Sequence, residues 1–307
     1  MRFQSHLGRV IGATLLVSAI TNTLSAQGDS LRSRLTQRIA ATPGAVVGLY
    51  YKSLSSGELV TIAPDSSFHA ASTMKVPVMI EFFRQVERGG LAADQPVLLV
   101  NQFASIVDGS PFSVAPIDDS DSTMYGRVGQ RVSARELVER MIVRSSNLAT
   151  NAVIALIGAR HADSTAHALG ARTMRVLRGV EDGKAFQKGL NNTTTARDLG
   201  ALLEAIEKRT AASATSCDTM LAILGRQEFN DEIPAGLPPG TRVAHKTGSI
   251  SAVLHDAALV YPANHGPYVL VVLTRNIPDE RVARPLIADL SRLVYEHVTG
   301  AAGHAAR

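Results

Sequence analysis

The chain has a single cysteine, Cys217, so no disulfide can close within it, and the default place of that thiol is a small apolar position in the core. Clustered positive charge is missing as well: 31 Lys and Arg against 27 Asp and Glu leave a net charge of +4, with no Lys/Arg-rich run. Such a balance gives no footing to a nucleic-acid or membrane-surface partner. No G-x-S-x-G elbow is present, which argues against an α/β-hydrolase. No H-E-x-x-H occurs and the nine His show no metal-ligand spacing, which argues against a metallo-hydrolase. The sequence holds neither a P-loop nor an internal repeat, and it implies no metal and no cofactor.

What is there suits a folded chain. With 307 residues, 45% hydrophobic and 19% charged, it can bury a full core as one large domain or two lobes. Arg2 and Arg9, the apolar run Val10 to Ile20, and the small polar stretch Thr21 to Ala26 have the layout of a secretory signal peptide cleaved near Ala26. The run is too short to span a bilayer; the rival reading is a retained membrane anchor. Residues 27–307 are then an exported, periplasmic domain, expected as a monomer, and losing Arg2 and Arg9 takes the formal charge from +4 to +2. Gly300 to Arg307 reads as a frayed tail.

Leu31, Leu35 and Ile39 recur at helical spacing between Asp29 and Thr42, with Asp29 or Ser30 as N-cap. Ala45–Tyr51 and Leu59–Ile62 predict a hairpin. A helix begins near Ser72 and stops at Gly89-Gly90; Pro77 falls in or near its first turn. Residues 101–130, rich in Ser, Asp, Pro and Gly, predict a long surface excursion, and such loops often line sites. Helices follow over 133–143, capped by Ser133 with Glu136 at the capping-box position, then over 147–156, 161–169, 195–208 and 215–224, with an irregular loop at 178–192. Strands are predicted at 242–247, 257–261 and 268–274, and a closing helix at 279–298. The fold expected is α/β of the α+β type. A mostly antiparallel sheet from both chain ends (about 27–68 and 226–300) is flanked by helices, an all-helical lobe (about 69–225) is inserted, and the site lies in the cleft between them.

His69-Ala-Ala-Ser72-Thr-Met-Lys75 sets a hydroxyl and an amine three residues apart, on one face of a helix. Ser72 is a weak nucleophile near neutral pH, but an amine of lowered pKa within reach can take its proton as it attacks a carbonyl. Ser145-Ser146-Asn147, at a helix–helix junction, offers a second hydroxyl and a carboxamide. Lys246-Thr247-Gly248 ends a strand, where Gly248 would let a substrate backbone come close. Each has an ordinary reading alone: helix surface, N-cap, exposed edge.

In this chain order the three clusters resemble the penicillin-recognising serine hydrolases, most closely the class A β-lactamases, whose signature is S-x-x-K, S-D-N and K-T-G. The resemblance covers nearly all of the mature chain. It implies Ser72 as the acylated nucleophile, Lys75 as its proton acceptor, direct or by relay, and Ser145 as proton donor to the leaving amine. Asn147 would hold the substrate's side-chain amide, Lys246 and Thr247 its carboxylate, and the backbone N–H groups of Ser72 and Ser249 the oxyanion. Deacylation needs a carboxylate that activates water, and Glu181 is the candidate, with Asp182 in reserve; both also read as solvated loop acids.

The sequence departs from the family pattern in several places. Glu181 stands one residue late after Arg178, Asn192 replaces the Asp that would pair with Arg178, and Ser146 stands where the family prefers Asp. Residues 101–130 are longer than the usual connection. Arg275 is a candidate carboxylate ligand or a solvated strand end, and His255-Asp256 reads as structural. The function expected is opening of the β-lactam ring of penicillin- or cephalosporin-type substrates. The alternatives are a D-Ala-D-Ala-type peptidase or esterase of the same fold, or a slowly deacylating penicillin-binding sensor.

Overall fold

The computed structural model describes residues 30–300; the leader read at 1–26, the cap position Asp29 and the tail after Gly300 lie outside the described residues. Helix α1 covers 30–40 and leads into strand β1 (Val46–Ser53) and β2 (Leu59–Ile62). The other long strands come from the far end of the chain: β9 (Arg242–Ile250), β10 (Val253–Tyr261) and β11 (Tyr268–Arg275), followed by α9 (Glu280–Thr299). These form one antiparallel five-stranded sheet in the order β2-β1-β11-β10-β9, which leaves β9 at an edge.

Both faces of the sheet are covered, and its side chains sort by the two-residue period of a strand. Leu49 and Tyr51 of β1, Val260 of β10 and Leu270 and Val272 of β11 pack with Leu31 and Leu35 of α1 and Leu286 and Leu290 of α9. Tyr50, Leu259, Val269, Val271 and Leu273 face the opposite way, into the cluster shared with the helices. The terminal helices are tied to each other by Arg34–Glu296 at 2.6 Å and Arg38–Asp289 at 2.7 Å.

Between the two sets of strands lie α2 (Lys75–Glu87), α3 (Ala134–Val143), α4 (Asn147–Ile157), α5 (Ala159–Ala168), the short α6 (Gly183–Gln187), α7 (Ala196–Glu207) and α8 (Ala214–Leu224). Ser133 caps α3 by accepting the Glu136 N–H at 3.1 Å, while the Glu136 side chain turns to Arg127. Helix α7 lies directly on β1, because a Cβ on Gly200 would come within 2.6 Å of the Tyr50 ring. Tyr50 also donates to Glu204 at 2.5 Å.

The structure adds detail where the sequence showed no period. The 101–130 excursion holds a hairpin of β5 (Phe103–Ala104) and β6 (Pro111–Phe112) and two 3-10 turns, and its base is closed by β4 (Pro96–Leu98) on β7 (Arg131–Ser133). Loop 178–192 contains α6. Strand β10 starts at Val253, four residues before the expected 257, so His255 and Asp256 are interior strand residues, fully buried and hydrogen-bonded inside the protein. The helix expected from Ser72 opens instead as a 3-10 turn, Ala71–Met74, before α2.

Candidate active site

Ser72 lies in that 3-10 turn, which is held from several sides. The short strand β3 (Phe68–His69) pairs with β8 (Thr193–Thr194) just before it. His255 packs beneath it, with Nδ1 3.2 Å from the Thr274 nitrogen and 2.8 Å from the Leu254 carbonyl oxygen, and Nε2 2.9 Å from the His69 carbonyl oxygen. Burial pushes His255 down to about 4, which keeps it neutral. The Ala71 N–H bonds back to His69 Nδ1 at 3.0 Å, and Ala71 adopts a φ of +45°. On the other side a Cβ at Gly248 would sit 2.9 Å from the Ser72 nitrogen and 3.1 Å from that of Thr73. Gly248 thus permits a close approach between strand β9 and the serine's own turn.

Lys75 and Lys246 are both fully buried and converge on Ser145. The Lys75 amine donates to the Ser145 carbonyl at 2.6 Å, to Ser145 Oγ at 3.1 Å and to Asn147 Oδ1 at 3.1 Å. Lys246 reaches the same Ser145 Oγ at 3.0 Å and the Thr247 carbonyl at 2.9 Å. Among the described residues no hydrogen bond joins Lys75 to Ser72; a buried amine goes to its three oxygen acceptors first. Burial drives the Lys75 pKa far down, the neighbouring Lys246 charge lowers it further, and Asp119 and Glu181 pull it back. Burial also lowers Lys246, to about 7, against the opposing charges of Asp256 and Glu232. Ser145 holds its hydroxyl between the two amines in a left-handed conformation, φ +55°, a backbone state that costs on the order of 1–3 kcal/mol for a side-chain-bearing residue.

Asn147 opens α4 and links Lys75 to the loop acid. Its amide nitrogen donates to Glu181 Oε1 at 3.2 Å and to the Asp118 carbonyl at 3.0 Å. Glu181 also has a positive φ, +63°. Its pKa is raised, first by burial and then by Asp118 and Asp119, while Arg178 and Lys75 pull it down. The segment leading to it is clamped by Asn151, whose Oδ1 accepts the Val180 N–H at 2.7 Å and whose Nδ2 donates to the Val180 carbonyl at 3.0 Å.

Asp182 does not stand in reserve. It caps α6 through the Ala185 N–H at 3.1 Å and accepts Ser105 Oγ at 2.9 Å and the Ile106 N–H at 3.0 Å. Burial would raise its pKa, but those bonds outweigh it and hold it low. With Asn192 in place of an Asp, Arg178 has no carboxylate in contact among the described residues. The guanidinium donates to the Leu190 and Gly179 carbonyls and to Asn191 Oδ1, while Asn192 pairs with the Leu177 and Arg178 backbone.

A cleft of about 350 Å³ opens over these groups, lined among others by Ser72, Asn147, Glu181, Ser249, His69 and Phe186. Lys75, Ser145, Lys246 and Thr247 are buried, and Lys75 meets the cleft through Asn147, which lines it. Arg275 is engaged elsewhere, donating to the Ser67 carbonyl at 2.8 Å with its guanidinium over the Phe68 ring. Four residues without an assigned role in the sequence reading bear on the site: Asp119, Asn151, His69 and His255. In the sequence His255 reads only as structural, and for Asp119 no local spacing encodes the contact it makes.

A hydroxyl on a turn with a left-handed residue, a second hydroxyl shared by two desolvated amines and a carboxylate at one cleft are a set suited to a serine hydrolase. The profile of the β-lactamase enzyme family matches residues 30–298, and the chain belongs to that family, as a class A β-lactamase-like serine hydrolase. The β-lactamase of Streptomyces albus G is 25% identical across 94% of this chain and 93% of its own. A mutant of PBP-A, solved as an acyl-enzyme complex with penicillin G, is 30% identical and superposes with a TM-score of 0.74, covering 87% of this chain and 96% of that one. The ancestral class A β-lactamase of Gram-negative bacteria shares the fold, at 23% identity and a TM-score of 0.74 over 87% of this chain and 99% of that one.

Proposed function

We propose that this protein hydrolyses β-lactams through an acyl-enzyme on Ser72, in the periplasm once its leader is removed. The observation that carries the reading is the convergence of Lys75 and Lys246 on Ser145 Oγ, with Lys75 also held by Asn147, which lines the same cleft as Ser72. Ser72 Oγ attacks the lactam carbonyl carbon, and its proton passes to the Lys75 amine, direct or by relay. The tetrahedral oxyanion is met by the backbone N–H groups of Ser72 and Ser249; a donor of this kind is worth about a hundred- to a thousand-fold in rate. The carbon–nitrogen bond breaks, Ser145 delivers a proton to the ring nitrogen, and Ser72 is left as an ester. Glu181 then takes a proton from water, the hydroxide adds to the ester carbonyl, and Ser72 leaves with a proton returned to it. Lys246 and Thr247 bind the substrate carboxylate, for which a buried cation beside an edge strand is suited.

Purified residues 27–307 mixed with a chromogenic cephalosporin test this directly. Many turnovers per enzyme, with a transient adduct on Ser72 by intact mass and no turnover in Ser72→Ala, are expected. One stoichiometric burst with a lasting adduct would replace the lactamase reading with a peptidase or sensor, and turnover unaffected by Ser72→Ala would refute the mechanism.

A further inference from the structure

Ser146 stands where the family prefers Asp, yet a carboxylate is present at that junction, delivered by another part of the chain. Asp119, from the 101–130 excursion, accepts the Asn147 N–H on Oδ1 at 2.9 Å and the Leu148 N–H on Oδ2 at 2.8 Å. Those are the first two free N–H groups of α4, where a negative charge is favoured by the helix dipole. Ser146 caps the same helix through the Ala149 N–H at 3.2 Å and leans on Asp119 Oδ2 at 3.4 Å. Tyr125 donates to the same carboxylate at 3.0 Å, and the Asp121 N–H closes it at 2.9 Å. The neighbouring Asp118 carbonyl holds the Asn147 side chain. Asp119 is only 9% exposed, so its charge acts through protein rather than bulk water.

We propose that Asp119 is a positioning residue for acyl transfer: by gripping the start of α4 it fixes Ser145 and Asn147 against Lys75, supplying from a distant loop a carboxylate at the junction where the family prefers one at position 146. The inference rests on the Ser72 acyl-enzyme reading. Two consequences separate it from a merely structural role. Loss of the grip loosens Ser145 and Asn147 together, slowing acylation. Loss of the charge also changes the titration of the groups that see it. Lys75 faces Lys246, Glu181 and Asp119; Glu181 faces Asp118, Arg178, Lys75 and Asp119. For both, removing the Asp119 charge lowers the pKa, so the acid limb of the pH–rate profile moves to lower pH.

The test uses the purified protein with penicillin G, following adduct formation by quenched intact mass and steady-state turnover against pH. Asp119→Asn is expected to slow acylation by about tenfold and to move the acid limb down by about half a pH unit. Asp119→Asn combined with Ser146→Asp, which returns a carboxylate to the cap position, is expected to recover most of the rate and the limb. Tyr125→Phe removes one donor and keeps the charge, so its limb stays in place. A wild-type rate and limb in Asp119→Asn overturn the proposal, as does a folded double variant that stays slow. A limb that moves as far in Tyr125→Phe as in Asp119→Asn overturns the role of the charge. Wild-type protein that never forms a Ser72 adduct would instead refute the parent reading, leaving the two failures distinguishable.

Discussion

Ser145 is the residue on which both lysines depend. A hydroxyl offers two lone pairs and one proton; with Lys75 and Lys246 at its oxygen, the O–H remains to donate, the role the mechanism gives it. In the proposed mechanism Glu181 carries the opposite task. Its raised pKa, set by burial and by Asp118 ahead of the other charges, requires turnover limited by deacylation to fall away on the acid side above the ordinary carboxylate range. A steady-state profile in that regime checks it. Glu181→Gln is expected to leave acylation near the wild-type rate and to let the Ser72 adduct build up to most of the enzyme; unaltered turnover would remove Glu181 from the role. Ser72, both lysines and Asn147 could be singled out in the sequence because each sits in a short motif. Asp119 was not, because its partners at 146–148 lie nearly thirty residues away and no local spacing encodes the contact.

At the scale of elements, the hairpin β5–β6 and the loop around α6 act as one piece. Ser105 and Ile106 bond the Asp182 carboxylate, and Lys184 reaches Asp108 at 2.8 Å and Ser110 at 2.7 Å. Among the described residues the loop that bears Glu181 has no Arg–carboxylate contact at Arg178, and this latch supplies a tie from outside. The surface ion pair adds little by itself; the buried Asp182 bonds matter more. Replacing residues 103–112 by a short Gly-Ser turn should slow deacylation about tenfold or more while acylation changes little, measured as a rise in the steady-state fraction of acylated protein. Long helices and strands were readable from their periods. Regions 101–130 and 178–192 read only as loops, since what orders them is side-chain bonding between the two.

Over the whole molecule, function sets charge in the interior where stability would avoid it. Lys75 and Lys246 are desolvated, and Glu232, 2% exposed, keeps one carboxylate oxygen without a partner among the described residues. Burial and the nearby Asp256 push Glu232 up to about 7. The folded state therefore holds this proton more tightly than the unfolded chain does, and the stabilisation, full below pH 4.5, is lost as pH rises through about 7. His255, held near 4, acts in the opposite sense over an overlapping range, so the comparison must be with a variant. Glu232→Gln should gain on wild type between pH 4.5 and 7, reaching about 3 kcal/mol at higher pH. Denaturant melts at several pH values measure it, and parallel curves would refute it. Lys246, lowered to about 7, adds stability as pH climbs above that value, because the unfolded chain then binds the extra proton. The joining of both chain ends in one sheet was readable from the shift of period along the chain. The seating of α7 on that sheet, through Gly200 and Tyr50, was not, since helical spacing names a buried face without naming what covers it.

The grip of Asp119 on α4 bears on how such proteins diverge. If one carboxylate is required at that junction and two positions can supply it, then positions 119 and 146 are not free to drift separately. Among related sequences with an equally long excursion, an acid at one should accompany a small polar residue at the other, and a lineage that shortens the excursion should first have acquired the acid at 146.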